Sequence, residues 1–373
     1  MIFVKTDDLK EGMRLAKPIY NRNGVMLYDR NSKLTTQGIN SIRNFELIGI
    51  FVLEPAEPLP PMTAEDIEFE RFQTVAVFSL RDNLKLVLEK NNSRDLLKLA
   101  NTILENYGSK RSKLQFVQNL RSKQDYVYRH TLNVAILCGL IAGAMELPKR
   151  EKLDVIMAGL LHDVGKLLLP KEVLDHVDNL SQEEEVILAK CKEEAYNTML
   201  TDYDMSPNSR IMVAQFTKLE QGGDLPNNAM RGTRILSVAE VYDFITAIKM
   251  GDEEAMSSVQ AIKYLKKHED EFGADVLEGL MSAIQVLVPG VCVTMSNGAR
   301  GLVIEENKED IMRPIVLDFN SHRVYNLADP DTFAEVQIQD VMKTMDNRYV
   351  MDHSLLEEYS GKLSYKRRNE SYA

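Results

Sequence analysis

Six stretches with helix-type apolar spacing follow one another between residues 121 and 287, at 126–146, 153–162, 183–200, 208–220, 234–249 and 257–267. Apolar side chains recurring every three or four residues put a stripe on each helix, and each stripe has to be buried against another. With six such stripes in succession, the segment is confined to an all-α core. Its longest apolar run, VAILCGLIAGAMEL at 134–147, falls short of the ~20 residues a bilayer crossing needs, so no membrane span is expected.

The texture changes on both sides. MIFVKT and IGIFVLEP are short β-rich runs, and YNRNGVMLYDR carries Asn23-Gly24 between apolar flanks, a hairpin signal. EPAEPLPP at 54–61 continues neither a helix nor a central strand. A small β-rich module is therefore expected at 1–57 and a charged helical connector, a packed helix pair or a dimerising helix, at 63–120. Beyond the core, VLVPGVCVTMSNGARGLVIEENKEDIMRPIVLDF alternates β-branched runs with Pro289-Gly290 and Asn297-Gly298, giving a small antiparallel module at 288–345 and a polar tail at 346–373. The fold class is multidomain α+β, an all-α core flanked by two small β-rich modules.

At the end of the second core stretch the chain reads GLLHDVGKLLLP, residues 159–170. His162 and Asp163 are adjacent and reach one ion only if the helix ends there, and Gly165 suits such an ending. A divalent ion needs ligands from several elements. His130, in YVYRHTLNVAIL, offers a second source; Glu240 or Asp243, one helical turn apart in RILSVAEVYDFITA, offers a third. Singly, each has an ordinary alternative: a core histidine, a solvated acid, or Asp163 as a cap. Together they outline a four-ligand site with open positions for water and phosphate.

Composition narrows the partners. A formal charge of −11 opposes DNA or RNA binding. Cys138, Cys191 and Cys292 are widely separated, without CxxC spacing, as expected for a cytoplasmic protein with no disulfide framework.

The succession His130, HDVGK, LPKEVLDHVDNLSQEEEVILAK and RILSVAEVYDFITA resembles the HD superfamily of metal-dependent phosphohydrolases, and within it the HD-GYP branch that hydrolyses cyclic di-GMP. The resemblance covers about 121–285, and DLKEGMRLAKPIYNRNGVMLYDRNSKLT resembles the small module often found ahead of such domains. It implies an HD-type core and metal ligation by His130, His162, Asp163 and Glu240, the last in place of a metal-binding Asp. In a single-ion site of the simple HD type, Lys166 steadies a phosphate oxygen and Asp163 takes a proton.

Departures from the HD-GYP pattern are numerous. Cys191-Lys192-Glu193 stands where the pattern has a metal-binding His, and Phe216-Thr217-Lys218 where it has paired histidines and a Glu. Gly222-Gly223-Asp224-Leu225-Pro226 replaces the loop that names the branch, and Lys249 is the only cation of the segment after Glu240. Second and third ions are not expected. Two readings follow. One is a signalling or interaction module with lost or reduced catalysis, binding a nucleotide, a cyclic dinucleotide or a protein partner, with a homodimer in view. The other is a phosphohydrolase with a single divalent metal ion, acting on a nucleotide or phosphodiester; it requires His130, His162, Asp163 and Glu240 to meet at an accessible point, whereas the first tolerates a pocket plugged by Phe216 or Lys218.

Overall fold

The structure, a computed structural model, describes residues 2–21, 25–45, 47–53, 63–89, 94–109, 112–116, 118, 121–202, 205–220, 228–248 and 255–342. Asn23-Gly24, the proline run, the loop Gly222–Pro226, Lys249 and the tail lie outside the described residues.

The N-terminal module contains β1 (Ile2–Lys5), β2 (Arg14–Leu15), β3 (Ile19–Tyr20), β4 (Met26–Tyr28), α1 (Thr36–Asn44) and β5 (Gly49–Leu53). Strands β1, β5 and β2 form an antiparallel sheet in that order, with Ile2 opposite Val52; β3 and β4 pair antiparallel across the Asn23-Gly24 segment. Thr35 caps α1 by accepting from the Gly38 amide, and Ile39 and Ile42 face Leu15, Ile50 and Val52 to make a small core.

Helix α2 (Ala64–Leu88) opens with a reciprocal Thr63–Asp66 capping box, and α3 (Arg94–Asn106) follows it. Both bury leucine-rich stripes, including Leu80, Leu84, Leu96 and Ile103, in the same hydrophobic cluster as the helices that come next.

The helical core consists of α4 (Tyr126–Ala144), α5 (Lys149–Leu161), a 3-10 turn at Val164–Leu168, α6 (Lys171–Leu174), α7 (Gln182–Asp202), α8 (Pro207–Glu220), α9 (Arg231–Thr246), α10 (Ser258–Lys267), α11 (Glu269–Phe272) and α12 (Ala274–Ala283). Helix α4 is central. By length and composition it is apolar enough to cross a membrane, and 83% of its most apolar window is buried inside this fold. Gly159 lets α5 lie close to α4, since a Cβ there would stand 2.9 Å from Ala135 Cα.

The C-terminal module holds β6 (Cys292–Met295), β7 (Arg300–Glu305), β8 (Ile315–Asp318), β9 (Val324–Asn326), α13 (Pro330–Glu335) and β10 (Ile338–Val341), its sheet running β10-β6-β7-β8-β9 with antiparallel neighbours. Val293, Met295, Val303 and Val316 pack on one face with Val259 of α10; Leu302, Ile304, Ile315 and Leu317 cluster separately. The whole is α+β, with a helical core between two small antiparallel sheets.

Candidate metal centre

Helix α5 ends at Leu161, and His162 is its C-cap. That ending lets His162 and Asp163 leave the helix on diverging paths toward α4 and α9. One nitrogen or oxygen each from His130, His162, Asp163 and Glu240 lies within 4.8 Å of the others. Glu240 Oε2 stands 2.8 Å from His130 Nε2 and 2.9 Å from His162 Nε2, while Asp163 Oδ2 is 3.5 Å and 3.7 Å from the same nitrogens. Of the two acids on α9, Glu240 meets the histidines from the ligand side.

Asp243 lies behind. Its Oδ2 accepts from His130 Nδ1 at 2.6 Å, and the fully buried Arg121 guanidinium donates to both of its oxygens at 3.0 and 2.8 Å. Asn133, one turn along α4 from His130, donates to Asp243 Oδ1 at 2.8 Å, and Gln118 at 2.9 Å. Nothing in the spacing singled out Arg121, Asn133 or Gln118. The available signal was Asp243 itself: a carboxylate on the buried face of a core helix needs partners.

These second contacts decide what the site can hold. The Gly159 carbonyl only accepts, so His162 donates to it through Nδ1 at 2.7 Å. Asp243, kept ionised by Arg121, takes the Nδ1 proton of His130. Both Nε2 atoms are left facing acceptor-only carboxylates, so the cluster balances only if both buried imidazoles are doubly protonated or a cation lies among them. Imidazoles fixed by a carboxylate and a backbone carbonyl, with their other nitrogens converging on two carboxylates, are the donor set of a divalent ion. The residues fit a metal.

The electrostatics agree. Burial alone lowers the His130 pKa, but Glu240 and Asp243 reverse this and raise it to about 9. Burial raises Glu240, and His130 and His162 outweigh it, holding the carboxyl well below its usual range. Burial raises Asp163 as well, and Lys166, Lys192 and His162 overcome it and hold that group low.

Lys166 and Lys192 account for the other side of Asp163. Lys166 pairs with Oδ2. The Lys192 ammonium, on α7, lies 2.9 Å from Oδ1 and 2.5 Å from Glu220 Oε2. Gly165 is not in a left-handed conformation; a Cβ there would stand 2.5 Å from Lys192 Cα, so its role is to admit α7, not to end a helix. Asp163 starts the 3-10 turn without capping it through its side chain. Cys191 is half-buried beside Tyr126 and Leu169. Phe216 sits edge-on to His162 at 5.5 Å, whereas Lys218 is exposed and plugs nothing.

A cavity of about 860 Å³ opens beside the cluster, lined by Lys166, Lys192, Glu220 and Glu240 together with Phe244 and Tyr264. Both aromatic rings are exposed, at 41% and 39%.

Comparison with known proteins agrees with this geometry. A family profile described as HD domain matches residues 112–276. The cyclic di-GMP phosphodiesterase PA4108 of Pseudomonas aeruginosa is 23% identical over 209 residues, 55% of this chain and 50% of that protein. The 3'3'-cGAMP-specific phosphodiesterase 1 of Vibrio cholerae is 23% identical over 162 residues, 41% of this chain and 36% of that protein. The chain thus matches half or less of the length of these relatives. Among solved structures, Bd1817, a HDG"Y"P protein from Bdellovibrio bacteriovorus, aligns with a TM-score of 0.41 and 13% identity over 75% of this chain and 97% of that one. The profile match spans the segment that carries the four-residue cluster, and the chain accordingly contains an HD domain with distant homology to the HD-GYP cyclic di-GMP phosphodiesterases.

Proposed function

We propose that the protein is a phosphohydrolase working with one divalent ion, and that its substrate is a nucleotide phosphodiester of the cyclic dinucleotide class on which the two curated relatives act by name. The observation that carries this reading is the convergence of His130, His162, Asp163 and Glu240 at the edge of a cavity of nucleotide size.

When bound, the ion supplies Lewis acidity toward a phosphoryl group and acidifies water. His130, His162 and Glu240 hold it, with Asp243 and Gly159 fixing the imidazole tautomers. Asp163, kept anionic by two lysines, serves as a permanent negative ligand and not as a proton acceptor. Lys166 is 13% exposed at the cavity and offers its ammonium to a phosphate oxygen. Phe244 and Tyr264 present aromatic faces to bases. Lys192, locked between Asp163 and Glu220, puts a fixed cation where a second ion would use the free oxygen of Asp163. The reading is tested by supplying the full chain with manganese and cyclic di-GMP. It predicts release of a linear or mononucleotide product that disappears in His162→Ala; no product, with an ion bound, would contradict it.

A second reading, a module that binds a cyclic dinucleotide without cleaving it, is favoured by Phe216 and Lys192, which stand at the edge of the cluster as non-ligands. Saturable binding of cyclic di-GMP without turnover is its signature.

A further inference from the structure

A second cavity, of about 460 Å³, lies at the junction of the N-terminal module and the helical core, away from the metal cluster. The segment after β2 supplies Lys17, α2 supplies Glu70 and Phe78, the end of α1 supplies Phe45, and the start of α4 supplies Asp125 and Arg129.

Lys17 is the unusual member. It is 8% exposed, yet the nearest oxygens to its ammonium among the described residues are the Gln118 carbonyl at 3.4 Å and Glu70 Oε1 at 3.5 Å. A charge-assisted bond between an ammonium and a carboxylate normally closes to ~2.7–2.9 Å. Its other neighbour is the face of Phe51, 4.6 Å away. Glu70 is similarly placed, with a 13% exposed side chain and Lys17 as its only ion-pair partner among the described residues. Burial lowers the Lys17 pKa and raises that of Glu70, which is how a pair behaves when neither charge is fully compensated. On the same wall the buried Tyr20 hydroxyl has no hydrogen-bond partner among the described residues. By contrast, Arg129 and Asp125 satisfy each other at 2.5 Å.

The cavity therefore contains two cations and two anions, one pair closed and the other held apart. A ligand with net charge of either sign leaves one member of the loose pair worse off. A ligand carrying both charges satisfies both members, its anion on Lys17 and its cation on Glu70. Phe45, at 43% exposed, and the partly buried Phe78 give the cavity an apolar wall together with Ile19 and Leu47.

We propose that this cavity is a binding site for a small zwitterion bearing an apolar group, with the chemistry of an apolar α-amino acid. The site is linked to the metal centre by hydrogen bonds: Gln118, which lines the cavity, donates to Asp243, and Asp243 accepts from His130.

The probes are L-phenylalanine and its two half-charged analogues, phenylacetate and phenethylamine, titrated calorimetrically into the full chain. L-Phenylalanine should bind saturably, with each analogue at least about tenfold weaker for losing one charge-assisted contact. Lys17→Met should abolish binding, and the isosteric Glu70→Gln, which leaves Lys17 in place, should bring L-phenylalanine down toward phenylacetate. His162→Ala should bind it unchanged. Absence of binding, equal binding of phenylacetate, or full binding by Glu70→Gln would each overturn the assignment.

Discussion

The Lys192 ammonium lies 2.9 Å from Asp163 Oδ1, on the carboxylate oxygen other than the one that reaches the imidazoles of His130 and His162. Lys192 is thus ion-paired to one oxygen of Asp163, and the other faces Lys166 and the two imidazoles. Lys192→Met should remove that cation and leave the fully buried Asp163 undercompensated, lowering stability by about 3–5 kcal/mol in the presence of chelator. Added manganese should recover part of the loss and bind with a higher stoichiometry than in the wild type. Urea unfolding with and without manganese checks both outcomes.

Gly165→Ala tests the same contact through the backbone. The new methyl group would meet Lys192 Cα at 2.5 Å, and backbone cannot rotate away as a side-chain tip can. Separation of α7 from the 3-10 turn should lower stability by about 1–3 kcal/mol, visible as a reduced urea midpoint.

Asp243→Asn should act on the metal without touching a ligand. The neutral amide no longer orients His130 Nδ1 as an anion does, and divalent-ion affinity should fall about 10–100-fold. Arg121, fully buried against Asp243, loses its counter-charge in the same variant, so a lower melting temperature should accompany the weaker binding. A competition titration with a fluorescent chelator reads the affinity directly.

Helix α7, which carries Lys192, has an acid-sensitive start. Glu184 accepts hydrogen bonds from the Ser181 backbone amide, the Ser181 hydroxyl and His176, and these pull its pKa from 4.5 to about 2. The folded-state value lies below the unfolded one, so this stabilisation is fully present above the unfolded pKa and is lost as pH falls from about 4.5 toward 2. Amide exchange at the first turn of α7 should accelerate across that window, and Glu184→Gln should flatten the pH dependence.

Much of this architecture was readable in the sequence because it is periodic. The α4 and α8 stretches lie within two residues of their observed limits, and the GLLHDVGK segment ends its helix at the pair that has to diverge. What could not be read was long-range and polar. Arg121 and Asp243 are 122 positions apart and meet because the segment leading into α4 lies against α9. Lys192 stood out in the sequence as a departure from the ligand pattern, but not as the cation on Asp163, because that depends on α7 approaching across Gly165. Gly165 itself suggested a helix-ending turn, and only the packing shows that close approach is its role. Spacing alone left Glu240 and Asp243 as alternatives, the resemblance pointed to Glu240, and the structure places Asp243 behind His130.

The most direct test of a single-ion centre is elemental analysis of the full chain after manganese loading and desalting, beside the His162→Ala, Asp163→Ala double variant. A single-ion centre gives about one ion per wild-type chain and none in a double variant that retains its helical circular dichroism. No ion in the folded wild-type protein, a second equivalent in the wild type, or an ion retained by the double variant would contradict it.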